Sequence, residues 1–396
     1  MDVLFGPGDA PKIERLRTAA LSAKPTSGKT HSFYRYPARF SPEFAEAVIS
    51  ELSLPGDWVL DPFAGGGTSV IEGVALGRRV VGIDINALAH FVMRVSTTPL
   101  SAQDCEVITA WADKVSAEPA AWIHHALGNR QIRNFPAGLR RLILGAMSCA
   151  DSEMSFPRRR DFARCALLRL GQWALESASP HSRIAYAAGN RLPAIVQSMT
   201  QGVNELVERC ALSGVRKKWI TGRRLLLNRS SIGLDSESRL RCLRGRIRLV
   251  ITSPPYPGVH VLYHRWQHKG RRETNAPYWI ANLNDGQGES YYTFGNRKTA
   301  SGIDGYFDKL YLSFRSIRPY VSDNGLVVQL ISFADPTVQL PRFLSAMDRA
   351  GYEEVQLSWD LGRRLRRRVP NRRWYTQISR NSNAGTEVLL VHRCKS

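Results

Sequence analysis

Cysteine is sparse and unpatterned in this chain. Cys105, Cys149, Cys165, Cys210, Cys242 and Cys394 form no C-x-x-C pair and have no histidine at ligand spacing, which argues against a structural zinc site. Long apolar runs are also missing. The opening MDVLFGPGDAPKIERLR has no apolar stretch of signal-peptide length. No later run approaches the roughly 18 residues of a membrane span. A cytoplasmic protein with reduced thiols and no membrane partner is therefore expected. Acidic side chains are scarce relative to basic ones: 34 Asp and Glu face 55 Lys and Arg, a formal net charge of +21. A polyanionic partner is the economical explanation.

What is present is ordinary for a folded chain. With 396 residues, 43% hydrophobic and 22% charged, the protein can bury a large core, as one domain with an insertion or as two domains. Residues 1–30 carry Pro, Gly, Ser and Lys in quick succession and read as a flexible leader. Pro42 fits the first turn of a helix through FAEAVISEL. From Asp57 the period changes. DWVLDPF, AGGGTSVIEGVALG and RRVVGIDIN read as strand, glycine loop, helix and strand, a βαβ unit that calls for a parallel sheet with helices on its faces. Residues 100–221 are rich in Ala, Leu and Arg and read as a mainly helical insertion with basic faces. Strand character returns at RLLL (224–227), IRLVITS (247–253) and LVVQLI (326–331), after the helix-like 306–317.

The glycine loop carries the first chemistry. Asp61 ends one strand, Gly65 to Gly67 let a ligand approach the backbone, and Asp84 closes the next strand, where its carboxylate can accept two ribose hydroxyls. No G-K-[ST] follows the glycines, so no lysine waits for phosphates. A ligand with a cationic end suits Asp61 better.

The second motif is SPPY, residues 253–256, directly after an apolar strand. Prolines end the strand and leave carbonyl oxygens free as acceptors. Ser253 and the Pro254 carbonyl can accept both hydrogens of an exocyclic amine and so free its lone pair for in-line attack. Tyr256 is placed to stack on a base flipped out of a duplex.

DPFAGGGT together with TSPPY resembles the S-adenosylmethionine-dependent DNA amino-methyltransferases, the N4-cytosine and N6-adenine group, with SPPY characteristic of the cytosine branch. HSFYRYPARFSPEF is similar to that family's segment over the methionine end of the cofactor. The resemblance covers 31–96 and 222–395. It implies a Rossmann-like class I methyltransferase α/β sheet, with 31–99 holding the cofactor, 100–221 inserted as the target-recognition region, and 222–396 catalytic. Cofactor contacts fall on Phe40, Asp61, Pro62, Phe63, Ala64, Gly65, Gly67, Thr68, Asp84 and Ile85. The catalytic set is Ser253, Pro254, Pro255 and Tyr256. The family often has an acid after the strand before SPPY; here the text is LLLNRSS, which offers Asn228, Ser230 or Ser231.

The surroundings are basic and aromatic. VHVLYHRWQHKGRRETNAPYWI interleaves rings and cations as a strand-binding groove does. Its histidines have no completing acid or thiol, and no metal is assigned. The arginine-dense tract LGRRLRRRVPNRRW, at the head of a hairpin loop spanning 361–383, offers Arg364, Arg366, Arg367, Arg368, Arg372 and Arg373 to phosphates. The expected activity is methyl transfer to cytosine N4 in DNA. N6-adenine, an RNA amino group, or a nucleic-acid-binding regulator that keeps the fold without catalysis stay open, as does a restriction endonuclease as functional partner.

Overall fold

The computed structural model describes residues 3–22, 28–36, 41–123, 132–176, 184–257, 266–268, 272–284, 292, 294, 299–357, 364–368 and 385–395. Its centre is one mixed sheet. The strands are β1 (Trp58–Asp61), β2 (Arg79–Asp84), β3 (Arg224–Asn228), β4 (Ile247–Thr252), β7 (Val321–Ser332), β8 (Tyr352–Val355) and β10 (Thr386–Cys394). Their order is β3-β2-β1-β4-β7-β10-β8, with β9 (Arg366–Arg368) also paired to β10. A separate ribbon joins β5 (Trp266–His268) to β6 (Arg272–Thr274).

Neighbours from β3 to β7 are parallel, with Val59 opposite Val80 and Leu60 opposite Val250. Only β10 runs against its partners, Val391 facing both Val328 and Val355. This order, with a reversed penultimate strand, is the Rossmann-like methyltransferase sheet. Alternation along each strand fills two cores. Val59, Leu249, Ile251, Val328 and Leu330 face α1 (Ala10–Leu21) and α2 (Pro42–Leu52). Leu60, Val250, Val327, Ile331 and Leu390 face the opposite way, toward α11 (Ala300–Ile317) and α12 (Pro336–Arg349). With both faces covered, the central strands read as unbroken apolar runs.

The helix after the glycine loop is α3 (Thr68–Ala75), and α4 (Ala87–Ser96) follows β2. The insertion is helical: α5 (Ala102–Ala117), α6 (Pro119–Ile123), α7 (Ala137–Glu153), α8 (Pro157–Glu176) and α9 (Ile184–Leu212). A capping box of Ser101 and Asp104 starts α5. Arg159 and Arg164, expected on basic faces, are buried instead, while Arg158 stays exposed. Arg159 and Arg158 both pair with Asp104, at 2.6 and 2.7 Å. Burial opposes the Asp104 charge, but the two guanidiniums outweigh it and hold the carboxyl well below its usual range. Arg164 reaches Asp151 and the Ile280 carbonyl.

Two expectations need correction. Residues 3–22 are not a flexible leader: α1 buries Ile13, Leu16, Ala19 and Ala20 beside α2. The helical spacing was legible, but half of the buried side chains are alanine, a weak apolar signal. The described aromatics after SPPY do not line an open groove either. Among the described residues, Trp266, Tyr278 and Trp279 are buried in the insertion's core with the short α10 (Ala276–Ile280). The Trp266 ring presses on Gly171 of α8, where an added Cβ would stand 2.7 Å from it, and its Nε1 donates to the Tyr34 hydroxyl at 2.9 Å. An amphipathic ring in a chain of mixed polarity suits a core as well as a groove, and only packing decides between them.

Candidate active site

The glycine loop and the SPPY turn leave the sheet at the carboxyl ends of adjacent parallel strands, β1 and β4. The connections from β1 and β4 diverge to opposite sides there, so the strand ends open a crevice, the usual ligand position in such sheets. Asp61 locks the two motifs together. One oxygen accepts from the Thr252 hydroxyl at 2.6 Å and the Phe63 N–H at 3.1 Å; the other accepts from the Ser69 hydroxyl at 2.5 Å. Asp61 is 1% exposed, and burial, partly offset by these donors, pushes its carboxyl up to about 6. The expected direct contact between Asp61 and a ligand cation is therefore revised. Three of its acceptor positions are used inside the fold and the side chain is buried, so its charge acts only through space.

Asp84 is placed differently. It is half-buried, with Oδ2 accepting from the Gly65 N–H and Oδ1 from the Asn86 N–H, both at 2.8 Å. Burial raises its carboxyl to about 6, against the pull of those two donors. Each oxygen keeps a lone pair for a further donor. Between the aspartates, Gly65 and Gly67 adopt φ of +50° and +82°, which a side chain would strain. Tyr36 covers the loop so closely that a Cβ on Gly66 would lie 2.8 Å from its Cβ. Of the segment expected over the cofactor, Tyr36 packs on these glycines; residues 37–40, Phe40 included, fall outside the described residues.

Around this pocket, Pro62, Phe63, Ala64 and Thr68 carry the chain from β1 into α3, and Ile85 follows Asp84. Asn228 donates from Nδ2 to the carbonyls of Asp84 and Ile85, tying the ends of β2 and β3. Ser230 accepts from the Ile232 N–H. Ser231 is buried, and its hydroxyl has no partner among the described residues. Half-open Asp84, glycines a Cβ would block, and an unpaired hydroxyl fit a nucleoside with a charged tail.

Sequence reasoning missed several supports. Asn86 caps α4 through the Leu88 N–H and also bonds the hydroxyls of Tyr36 and Tyr278. Glu72, fully buried on α3, is held by His31 at 2.5 Å and Lys29 at 2.8 Å. Burial works against that carboxylate, yet the contacts with His31 and Lys29 outweigh it and keep it below its ordinary value. Asn after DI, a frequent N-cap, was the one available signal.

In the SPPY turn, Ser253 lies within hydrogen-bonding distance of two inward acceptors, the Leu330 carbonyl at 2.8 Å and the Tyr256 oxygen at 3.0 Å. The Pro255 carbonyl accepts from Tyr306 at 2.6 Å. Tyr256 is 5% exposed and donates to Glu387 at 2.6 Å. Its ring is a wall packed into the fold rather than a free-standing platform.

The arginine tract divides. Arg364 is bidentate on Glu354, and Arg367 pairs with Glu387; all four side chains are largely buried. These two are removed from the set available to phosphates, because releasing them would leave buried carboxylates unpaired. Arg366 and Arg368 are exposed on β9, at the same carboxyl edge as SPPY. Arg372 and Arg373 lie outside the described residues. Among the described residues no helix is long and apolar enough to cross a membrane.

Comparison with known proteins follows the motifs. Residues 16–90 match the family described as DNA methylase, of the N6 and N4 type. The type II methyltransferase M.MvaI of Kocuria varians is 33% identical over 115 residues, 28% of this chain and 25% of that protein. M.BsoBI of Geobacillus stearothermophilus is 41% identical over 61 residues, 15% of this chain and 12% of that protein. The aligned segment thus spans a quarter or less of these relatives. Among solved structures, the rRNA methyltransferase aviRa of Streptomyces viridochromogenes aligns over 96% of this chain and 94% of its own, at 12% identity and a TM-score of 0.34. At that score the strand order carries the fold class. In its cofactor-side sequence the chain is thus similar to the DNA amino-methyltransferases, a family whose members use S-adenosylmethionine.

Proposed function

We propose that the protein transfers a methyl group from S-adenosylmethionine to the N4 amine of cytosine in DNA. The observation that carries this reading is the Thr252–Asp61–Ser69 bridge, which holds an amine-accepting turn beside a nucleoside-accepting loop at one crevice. Asp84 takes the ribose hydroxyls, Ser231 lies by the adenine, and the glycine loop under Tyr36 receives the methionine end. The cofactor supplies a methyl activated by a sulfonium, so the protein's own task is placement.

Tyr306 occupies the Pro255 carbonyl, which leaves the Pro254 carbonyl and the Ser253 oxygen to accept the two amine hydrogens. Holding both hydrogens draws them out of conjugation and turns the nitrogen lone pair toward the methyl. Tyr256 walls the base pocket with its orientation preset. The flipped base must leave its stack to arrive there, and Arg366, Arg368 and the tract beyond them lie where phosphates of a DNA duplex would pass. The helical insertion is the region that selects the sequence. A DNA substrate is in keeping with action in the cytoplasm.

Incubation with tritiated cofactor and DNA, followed by nucleoside mass spectrometry, tests the reading. N4-methylcytosine is expected, formed also in the presence of chelators. N6-methyladenine as sole product moves the target to adenine, label in RNA alone moves it to RNA, and cofactor binding without transfer to any of them leaves a regulator.

A further inference from the structure

Two prolines deprive the SPPY turn of N–H donors, so its shape depends on hydroxyls reaching distant parts of the chain. The longest reach is from Tyr256 to Glu387, at the start of β10 and 2% exposed. Glu387 uses its other oxygen for Arg367, its register partner on β9, at 2.7 Å; Arg367 also donates to the Ala20 carbonyl at the end of α1. Donor directions are consistent along this chain. Ser253 gives its hydrogen inward, to Tyr256 or to Leu330; Tyr256 gives its own to Glu387; Arg367 donates to Glu387 from the far side.

An ionised carboxylate accepts only, so it fixes the polarity of everything bonded to it. With Glu387 as terminal acceptor, Tyr256 turns a lone pair toward Ser253. The Ser253 hydrogen is thereby drawn inward and its remaining lone pairs stay outward. An amine in the pocket then meets an acceptor at Ser253 and not a competing donor. A buried carboxylate is costly to keep, and a neutral side chain would fill the space as well. Its charge is what sets the hydrogen-bond direction.

We propose that Glu387 is a positioning residue for methyl transfer, acting through the Tyr256 hydroxyl to hold Ser253 as an acceptor for the target amine. The inference rests on the reading of this turn as the amine site. The test is a double-mutant cycle on kcat, with Glu387→Gln, Tyr256→Phe and the double variant, beside cofactor Kd by calorimetry and thermal unfolding. Glu387→Gln replaces an acceptor with a group that can also donate. It is expected to lower kcat about tenfold, the equivalent of roughly 1.4 kcal/mol, while cofactor Kd stays within about twofold. In the Tyr256→Phe background it is expected to add little, because the link is already cut. Effects that simply multiply, or an unchanged kcat in folded Glu387→Gln, overturn the proposal while the methyltransferase reading stands. Should Glu387→Gln not fold, Tyr256→Phe, which leaves the Glu387–Arg367 pair in place, carries the test: a kcat equal to the parent's overturns it. An inert parent overturns the amine-site reading and this inference with it.

Discussion

The ends of β1 and β2 each carry an aspartate, each raised by burial to about 6, yet the two do different work. Asp61 meets two hydroxyls from other elements and closes on them. Asp84 meets only two backbone N–H groups, one from Gly65 in the glycine loop and one from Asn86, and stays half-exposed. The donors the fold aims at a carboxylate decide whether it becomes a strut or keeps acceptor positions free. The arginines in and before β9 repeat the lesson: Arg364 and Arg367 find buried acids, whereas Arg366 and Arg368, either side of Arg367 in the strand, remain exposed.

The contrast is broken most severely at the strut. Asp61→Ala leaves two buried hydroxyls and an N–H without their acceptor, and a stability loss of about 3 kcal/mol is expected in urea unfolding. A parent-like midpoint would show that Ser69 and Thr252 find other partners. Next comes the open carboxylate. Asp84→Ala is expected to weaken cofactor binding by about 1.5 to 3 kcal/mol, the value of charged hydrogen bonds, with the fold intact. A folded variant with unchanged Kd in calorimetry removes Asp84 from the site.

The same carboxylate makes binding depend on pH. Ribose hydroxyls favour the charged form, so protons compete with the cofactor and affinity should fall as pH drops through about 6. Stability runs the other way for this group. A folded value raised above the unfolded 3.8 means that the native state takes up the proton first, which favours folding between about pH 6 and 4. Weaker binding in that window with no loss of unfolding midpoint separates the two; an affinity flat from pH 8 to 5 contradicts the ribose role. The smallest effect belongs to the exposed arginines. Replacing Arg366 and Arg368 with Ala should flatten the salt dependence of DNA affinity by roughly 2 in slope, about 0.9 per phosphate contact. Replacing Arg364 and Arg367 should lower the unfolding midpoint instead. If both pairs alter the slope equally, the division drawn from burial fails.

Much of this was legible in one dimension because its physics is local. A strand ending in acid, three glycines and a helix must form a tight turn whatever follows, and SPPY must end the strand before it. The largely apolar runs along 247–252 and 326–331 marked central strands for the same reason. Tertiary structure alone decided which charged and aromatic residues were free. Glu387 meets Tyr256 across 131 positions, and neither neighbourhood carries a pattern that announces the other. Trp266 could have faced a nucleic acid or a helix, and Arg367 a phosphate or a carboxylate. Side-chain chemistry is equal to either use; burial, which depends on elements distant in sequence, assigns one.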